Sequence, residues 1–152
     1  MIKAVIFDWG RTLYDSEKKR EFPEAEEVFA WCRARGWRLA VVSLVSGFAN
    51  ATLNERTDQI KRSPLRHYFE IALVTDADKN AFFDQAVLHF GLPREEILIV
   101  DDRMVRGIRY GNEHGHPTVW IKKGKFSSEL PNAQTGMPTH TITELVQLKT
   151  IL

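Results

Sequence analysis

At 152 residues the chain is the size of one domain, and 43% hydrophobic content is ordinary for a globular core. A formal net charge of +1 argues against a protein held to nucleic acid by bulk charge. No apolar run approaches the roughly 20 residues a membrane helix needs, and the N-terminus enters a strand pattern without a signal peptide, so a cytoplasmic protein with no membrane or nucleic-acid partner is expected.

Residues 2–7 form a short apolar run, long enough for one buried strand and too short for a helix. The run stops at Asp8, with Gly10 and then Thr12-Leu13 beyond it. In an open parallel α/β sheet, ligands sit at the carboxyl ends of strands. Asp8 therefore either carries chemistry or caps the turn that follows. Residues 14–22 are polar and read as a loop over the strand end. Lys18-Lys19-Arg20 within it reads as a solvated face, contact with an anionic substrate being the alternative. Pro23, the following glutamates and the spacing of Ala25, Val28, Phe29 and Cys32 predict a helix closed by Gly36. Cys32 has no partner for an intrachain disulfide and reads as a packed, inert thiol.

A second strand covers residues 38–42 and ends at Ser43. Residues 47–61 read as a helix with a weaker apolar face, stopped by Ser63-Pro64. A third strand follows at 71–74, then a capping turn at Asp76 to Asp78. Lys79 stands ahead of an amphipathic helix whose apolar side is Phe82, Phe83, Ala86, Val87 and Phe90, closed by Gly91. The fourth strand, 97–100, runs into Asp101-Asp102. A helix at 104–114 ends at Gly115, a fifth strand covers 118–121, and 122–138 is a long polar loop. Thr141-x-x-Glu144 is a capping box expected to open the last helix, with Val146, Leu148, Ile151 and Leu152 on its apolar surface. Alternating strands and helices predict one α/β domain, a parallel sheet covered on both faces, without repeats or linkers.

Asp8, Ser43, Lys79 and Asp101-Asp102 all fall at or just past strand ends, and one parallel sheet gathers such ends along one edge. Each alone has a bland reading, as a turn residue, a solvated helix residue or a cap. Together, Asp8-Trp9-Gly10-Arg11-Thr12-Leu13, Leu39-Ala40-Val41-Val42-Ser43, Lys79-Asn80-Ala81-Phe82-Phe83 and Ile97-Leu98-Ile99-Val100-Asp101-Asp102 resemble the four ordered motifs of the haloacid dehalogenase (HAD) superfamily. The resemblance covers nearly the whole chain. It implies a three-layer α/β/α fold, doubly wound around a five-stranded parallel sheet in the order 5-4-1-2-3, with Asp8 and Asp102 ending adjacent central strands.

The resemblance also implies a phosphohydrolase in which Asp8 attacks phosphorus and forms an aspartyl-phosphate. Mg²⁺ would be held by Asp8, the Gly10 carbonyl and Asp102, with Asp101 a further candidate. Trp9, Gly10, Ser43 and Lys79 would surround the substrate, a small phosphate ester or a phosphoprotein; Thr12 would shape the turn. Asp8, Ser43 and Lys79 would be the catalytic set. Two positions depart from the family pattern. Gly10 replaces the acid/base Asp, whose loss predicts slow or narrow turnover, since general acid–base catalysis contributes roughly 10²–10⁴-fold. Gly107 replaces a metal-supporting Asp, with Arg103, Arg106 and Arg109 nearby and expected to face solvent. With 34 residues between Asp8 and Ser43 and 35 between Ser43 and Lys79, no large cap domain is expected, leaving an open site or one covered by another subunit of a homo-oligomer. Two other readings stand beside this one: a non-catalytic phosphate- or partner-binding protein on the same scaffold, and a metal-independent dehalogenase.

Overall fold

β1 (Ala4–Phe7) is buried along its whole length, and that burial sets the architecture. It pairs in parallel with β4 (Arg38–Leu44) on one side and β6 (Ile97–Asp101) on the other. β5 (Ile71–Thr75) extends the sheet beyond β4; β7 (Thr118–Ile121) and β8 (His140–Ile142) extend it beyond β6. The computed structural model describes residues 1–45 and 51–152. The six strands run in the order β5-β4-β1-β6-β7-β8. Read from the opposite edge, the five expected strands keep the expected order, and β8 is an addition.

Side chains of β1 alternate between two cores, as pleated strands require. Val5 and Phe7 pack with Val28, Phe29 and Cys32 of α1 (Ala25–Ala34) and with Leu145 and Leu148 near the C-terminus. Ala4 and Ile6 pack with Phe83, Ala86 and Phe90 of α3 (Lys79–Phe90) and with Tyr110 of α4 (Arg109–His114). Helices therefore cover both faces in three layers. Full burial of a side chain such as Phe29 or Phe83 contributes about 1.5–3 kcal/mol. Cys32 lies inside the first core, where burial pushes its thiol up to about 12, so it is inert at neutral pH.

Local structure departs from the sequence pattern in several places. The segment read as a loop after β1 holds a small antiparallel hairpin, β2 (Tyr14–Asp15) with β3 (Arg20–Glu21). The second helix, α2 (Leu53–Arg62), starts from a capping box of Thr52 and Glu55; the expected start at Gly47 lies outside the described residues. The helix expected at 104–114 opens instead with a π-helical turn over Met104–Ile108 before α4. Thr141 does not cap a helix. It sits in β8 opposite Trp120, where ladder pairing outweighs the local signal, and the capping box falls at Glu144 and Gln147 ahead of α5 (Leu148–Ile151).

Candidate active site

Because Phe7 pairs with Val100, the residues following β1 and ending β6 emerge side by side. The Asp8 N–H donates to the Val100 carbonyl at 3.0 Å. Asp8, Asp101 and Asp102 each place a carboxylate oxygen within 4.8 Å of the others, all three buried. Asp78 caps α3 by accepting from the Asn80 N–H, which sets Lys79 as the first helical residue, pointing at the sheet edge. Lys79 Nζ donates to Asp8 Oδ1 at 2.8 Å and Asp101 Oδ2 at 3.0 Å. Thr12 Oγ1 donates to Asp8 Oδ2 at 3.2 Å. Thr12 is carried by a tight turn in which the Trp9 carbonyl accepts from the N–H groups of Thr12, Leu13 and Tyr14. Arg11 closes this turn with φ 63, a left-handed conformation uncommon outside glycine and a local strain at the site.

Charge and burial compete within the cluster. Burial raises the Asp8 carboxyl, but the charge and hydrogen bond of Lys79 outweigh it and hold Asp8 below its ordinary value. Burial lowers Lys79, yet Asp101 and Asp8 hold it above its ordinary value, so it is a cation. Asp102 is raised well above its ordinary value, first by burial and then by the charges of Asp8 and Asp101.

The two second-position carboxylates differ in their partners. Asp101 is saturated: Oδ2 accepts from Lys79 and the Gly107 N–H, and Oδ1 from the Arg103 N–H. Asp102 Oδ2 is buried with no hydrogen-bond partner among the described residues. An orphaned carboxylate oxygen beside two other carboxylates is a hard-donor arrangement that fits Mg²⁺. The Gly10 carbonyl likewise accepts no hydrogen bond among the described residues. Gly107 is also explained by Asp101. A Cβ at 107 would lie 2.7 Å from the Asp101 Cβ and closer still to its Oδ2, so the Asp101 carboxylate fills the space a side chain there would need.

The flanking arginines do not all face solvent as expected. Arg109 does, paired with Glu113 on its own helix. Arg103 is stacked 3.8 Å over the Phe126 ring and paired with Glu129, both from the long loop after β7. Arg106 is half-buried, and its charge senses all three carboxylates.

The Trp9 side chain lies away from the carboxylates. Its indole is fully buried in the core, stacked on Tyr14 and edge-on to Phe69, with Nε1 donating to Gln59 at 2.8 Å. Only its main chain is left for a substrate. Ser43, near the end of β4, is fully buried, and its Oγ accepts from Arg56 Nη1 at 2.8 Å. Arg56, on α2, was not singled out in the sequence. It is buried, and its guanidinium stands where a side chain on Gly10 would project, 3.6 Å from that Cβ position. Nothing local in a polar helix marks it; the available signal was the empty space left by Gly10.

Residues 78–148 match the HAD-hydrolase-like family model. A glyceraldehyde 3-phosphate phosphatase of Pyrococcus furiosus is 26% identical over 138 residues, which cover 88% of this chain and 55% of the relative. The chain spans about half the length of the curated relatives it matches. Among solved structures, an L-2-haloacid dehalogenase superposes with a TM-score of 0.77 at 16% identity, over 98% of this chain and 97% of that one. The HAD-hydrolase YfnB of Bacillus subtilis, bound to magnesium, superposes with a TM-score of 0.69 at 19% identity, over 90% of this chain and 58% of that one.

Proposed function

We propose that this chain, a member of the HAD-like hydrolase superfamily, is a Mg²⁺-dependent phosphohydrolase that acts on a small phosphorylated molecule through an aspartyl-phosphate on Asp8. The observation that carries the reading is the cluster of Asp8, Asp101 and Asp102 at adjacent strand ends, bridged by Lys79. The phosphatase name of the relative and the magnesium of the YfnB structure support it.

Asp8 is the nucleophile: its carboxylate is held ionised, and Lys79 and Thr12 fix one oxygen each. Ser43 takes an Arg56 hydrogen on its oxygen, which leaves its own O–H to donate to a phosphoryl oxygen. Lys79 offsets the charge gathered around the phosphoryl group, and Asp101 holds Lys79 in place. Asp8, Asp102 and the Gly10 carbonyl would hold Mg²⁺, which supplies further positive charge to the phosphoryl oxygens. The segment between Asp8 and Ser43 carries only the β2–β3 hairpin and α1, so the site is read as lacking a large cap domain. Gly10 provides no acid or base, which restricts turnover to good leaving groups.

The test is the nucleophile. Beryllofluoride with Mg²⁺ should give a bound ¹⁹F signal in the wild type and none in Asp8→Asn. The variant should lose ester hydrolysis to background while melting at a similar temperature. Equal turnover by Asp8→Asn would give Asp8 another task. The empty acid position at Gly10 favours a second reading, a phosphate-binding protein without catalysis. That reading requires phosphate binding with no turnover of any ester.

A further inference from the structure

Gly10 and Arg56 belong to one arrangement. Where the family pattern has a carboxylic acid, this chain has a gap, and an arginine guanidinium from α2 stands in it. The guanidinium is buried; Nη1 is spent on Ser43, and Nε is buried without a hydrogen-bond partner among the described residues. A buried, partly unpartnered guanidinium is costly unless a ligand completes it. Arg56 also lines a cavity of about 240 Å³ together with Tyr14, Lys19, Glu55 and Gln59. Lys19, at the tip of the hairpin, holds a left-handed backbone with φ 54. Two cations, Arg56 and Lys19, thus line the cavity beside Glu55, and Arg56 stands against the position from which the missing acid would reach a leaving group.

An arginine cannot give a proton to a departing oxygen at neutral pH, but it stabilises an oxygen that departs as an anion. We propose that Arg56 is the leaving-group site of this enzyme and that its substrates are phosphoric anhydrides, whose leaving group departs as a carboxylate or phosphate without needing a proton. This rests on the phosphohydrolase reading above. With an acyl phosphate, an Asp8 oxygen forms a bond to phosphorus. The bond from phosphorus to the acyl oxygen breaks, and its electron pair leaves with that oxygen as a carboxylate facing Arg56. Water then attacks phosphorus and the Asp8–phosphorus bond breaks. Asp8 returns as a carboxylate, and phosphate leaves as H₂PO₄⁻ carrying both water hydrogens. No general acid takes part in the first step, so the glycine at position 10 costs nothing there.

The experiment compares kcat/KM for acetyl phosphate, pyrophosphate, p-nitrophenyl phosphate and glyceraldehyde 3-phosphate, in wild type, Arg56→Gln and Arg56→Lys. Wild type should prefer acetyl phosphate or pyrophosphate to the alkyl ester by more than about 100-fold, the span of a missing general acid. Which anhydride is faster tells a carboxylate-leaving from a phosphate-leaving substrate. Arg56→Gln should lower the anhydrides by about 10–100-fold, the loss of one hydrogen bond to a charged group, and should lower p-nitrophenyl phosphate, which shares only the Arg56 contact to Ser43, by a clearly smaller factor. Arg56→Lys should recover part of the anhydride rate. A uniform loss on every substrate would mean that Arg56 only supports the fold around Ser43, and equal wild-type rates on anhydride and alkyl ester would also overturn the inference. If nothing is hydrolysed and no beryllofluoride signal appears, the phosphohydrolase reading has failed, and this inference falls with it. Turnover without leaving-group preference defeats this inference alone.

Discussion

Gly10 and Arg56 are matched residue to residue, and the match changes what a substitution at position 10 can do. Gly10 does not use the left-handed conformation reserved for glycine, and an added Cβ meets only the Arg56 guanidinium at ordinary contact distance. Gly10→Asp should therefore fold normally. The new carboxylate would lie within reach of Arg56, and an adjacent guanidinium keeps a carboxylate ionised, unable to act as an acid. The single variant should thus gain little on glyceraldehyde 3-phosphate. Combining Gly10→Asp with Arg56→Gln frees the carboxyl, and the gain should grow towards the roughly 10²–10⁴-fold range of general acid–base catalysis. A double-mutant cycle in kcat/KM measures this coupling. If Gly10→Asp alone gains as much as the pair, Arg56 does not control the acid position.

At the scale of elements, the π-helical turn Met104–Ile108 links the end of β6 to α4 and presents the Gly107 N–H to Asp101. Such turns insert a residue into a helix and recur at functional sites. Here the turn brings the backbone so close to Asp101 that no side chain fits at 107. Gly107→Ala should cost about 1–3 kcal/mol by overpacking and push Asp101 away from Lys79. Thermal melting reports the first effect, and the second should appear as weaker beryllofluoride binding at Asp8. An unchanged melting temperature would mean that the turn relaxes freely. The same elements mark what was legible in the sequence. Asp8, Asp101 and Asp102 could be read because each follows an apolar run, and a parallel sheet must bring such ends together. Ser43 and Lys79 were legible for the same reason, one in a strand and one behind a cap. Gly107 was visible as a departure, but its cause, the side chain of Asp101, appears only when the turn is folded. Arg56 and the Arg103–Glu129 pair join residues far apart in sequence, and no local pattern encodes them. β8 was hidden by the Thr141–Glu144 capping pattern, which lies three residues ahead of the capping box that forms and gives way to pairing with β7.

Across the whole molecule, stability should carry the signature of a histidine far from the candidate site. His116 precedes β7, is buried, and donates its Nδ1–H to the Ile97 carbonyl at 3.1 Å, tying the turn after α4 to the start of β6. The carbonyl can only accept, so Nδ1 carries the hydrogen; Nε2 is buried with no partner among the described residues. Burial lowers His116 below its usual 6.5, and the charges of Arg94 and His114 push the same way, while its hydrogen bond to the Ile97 carbonyl opposes them. The folded ring therefore stays neutral at pH values where the unfolded ring is protonated. Below about pH 6.5 the unfolded chain binds more protons at this position, so the stability present above that pH is lost as the pH falls towards the folded-state value. His116→Asn keeps an N–H for Ile97 but cannot titrate. It should melt below wild type at pH 7.5, because the ring's packing against Tyr110 is lost. The gap should then narrow between pH 6.5 and 5.5, as wild type alone gives up the contribution of a neutral imidazole. Melting both proteins across this range isolates the histidine from the other groups that titrate there, since those are common to both chains. A gap that stays constant with pH would mean that His116 titrates alike in the folded and unfolded chains, and that its burial does not hold it neutral.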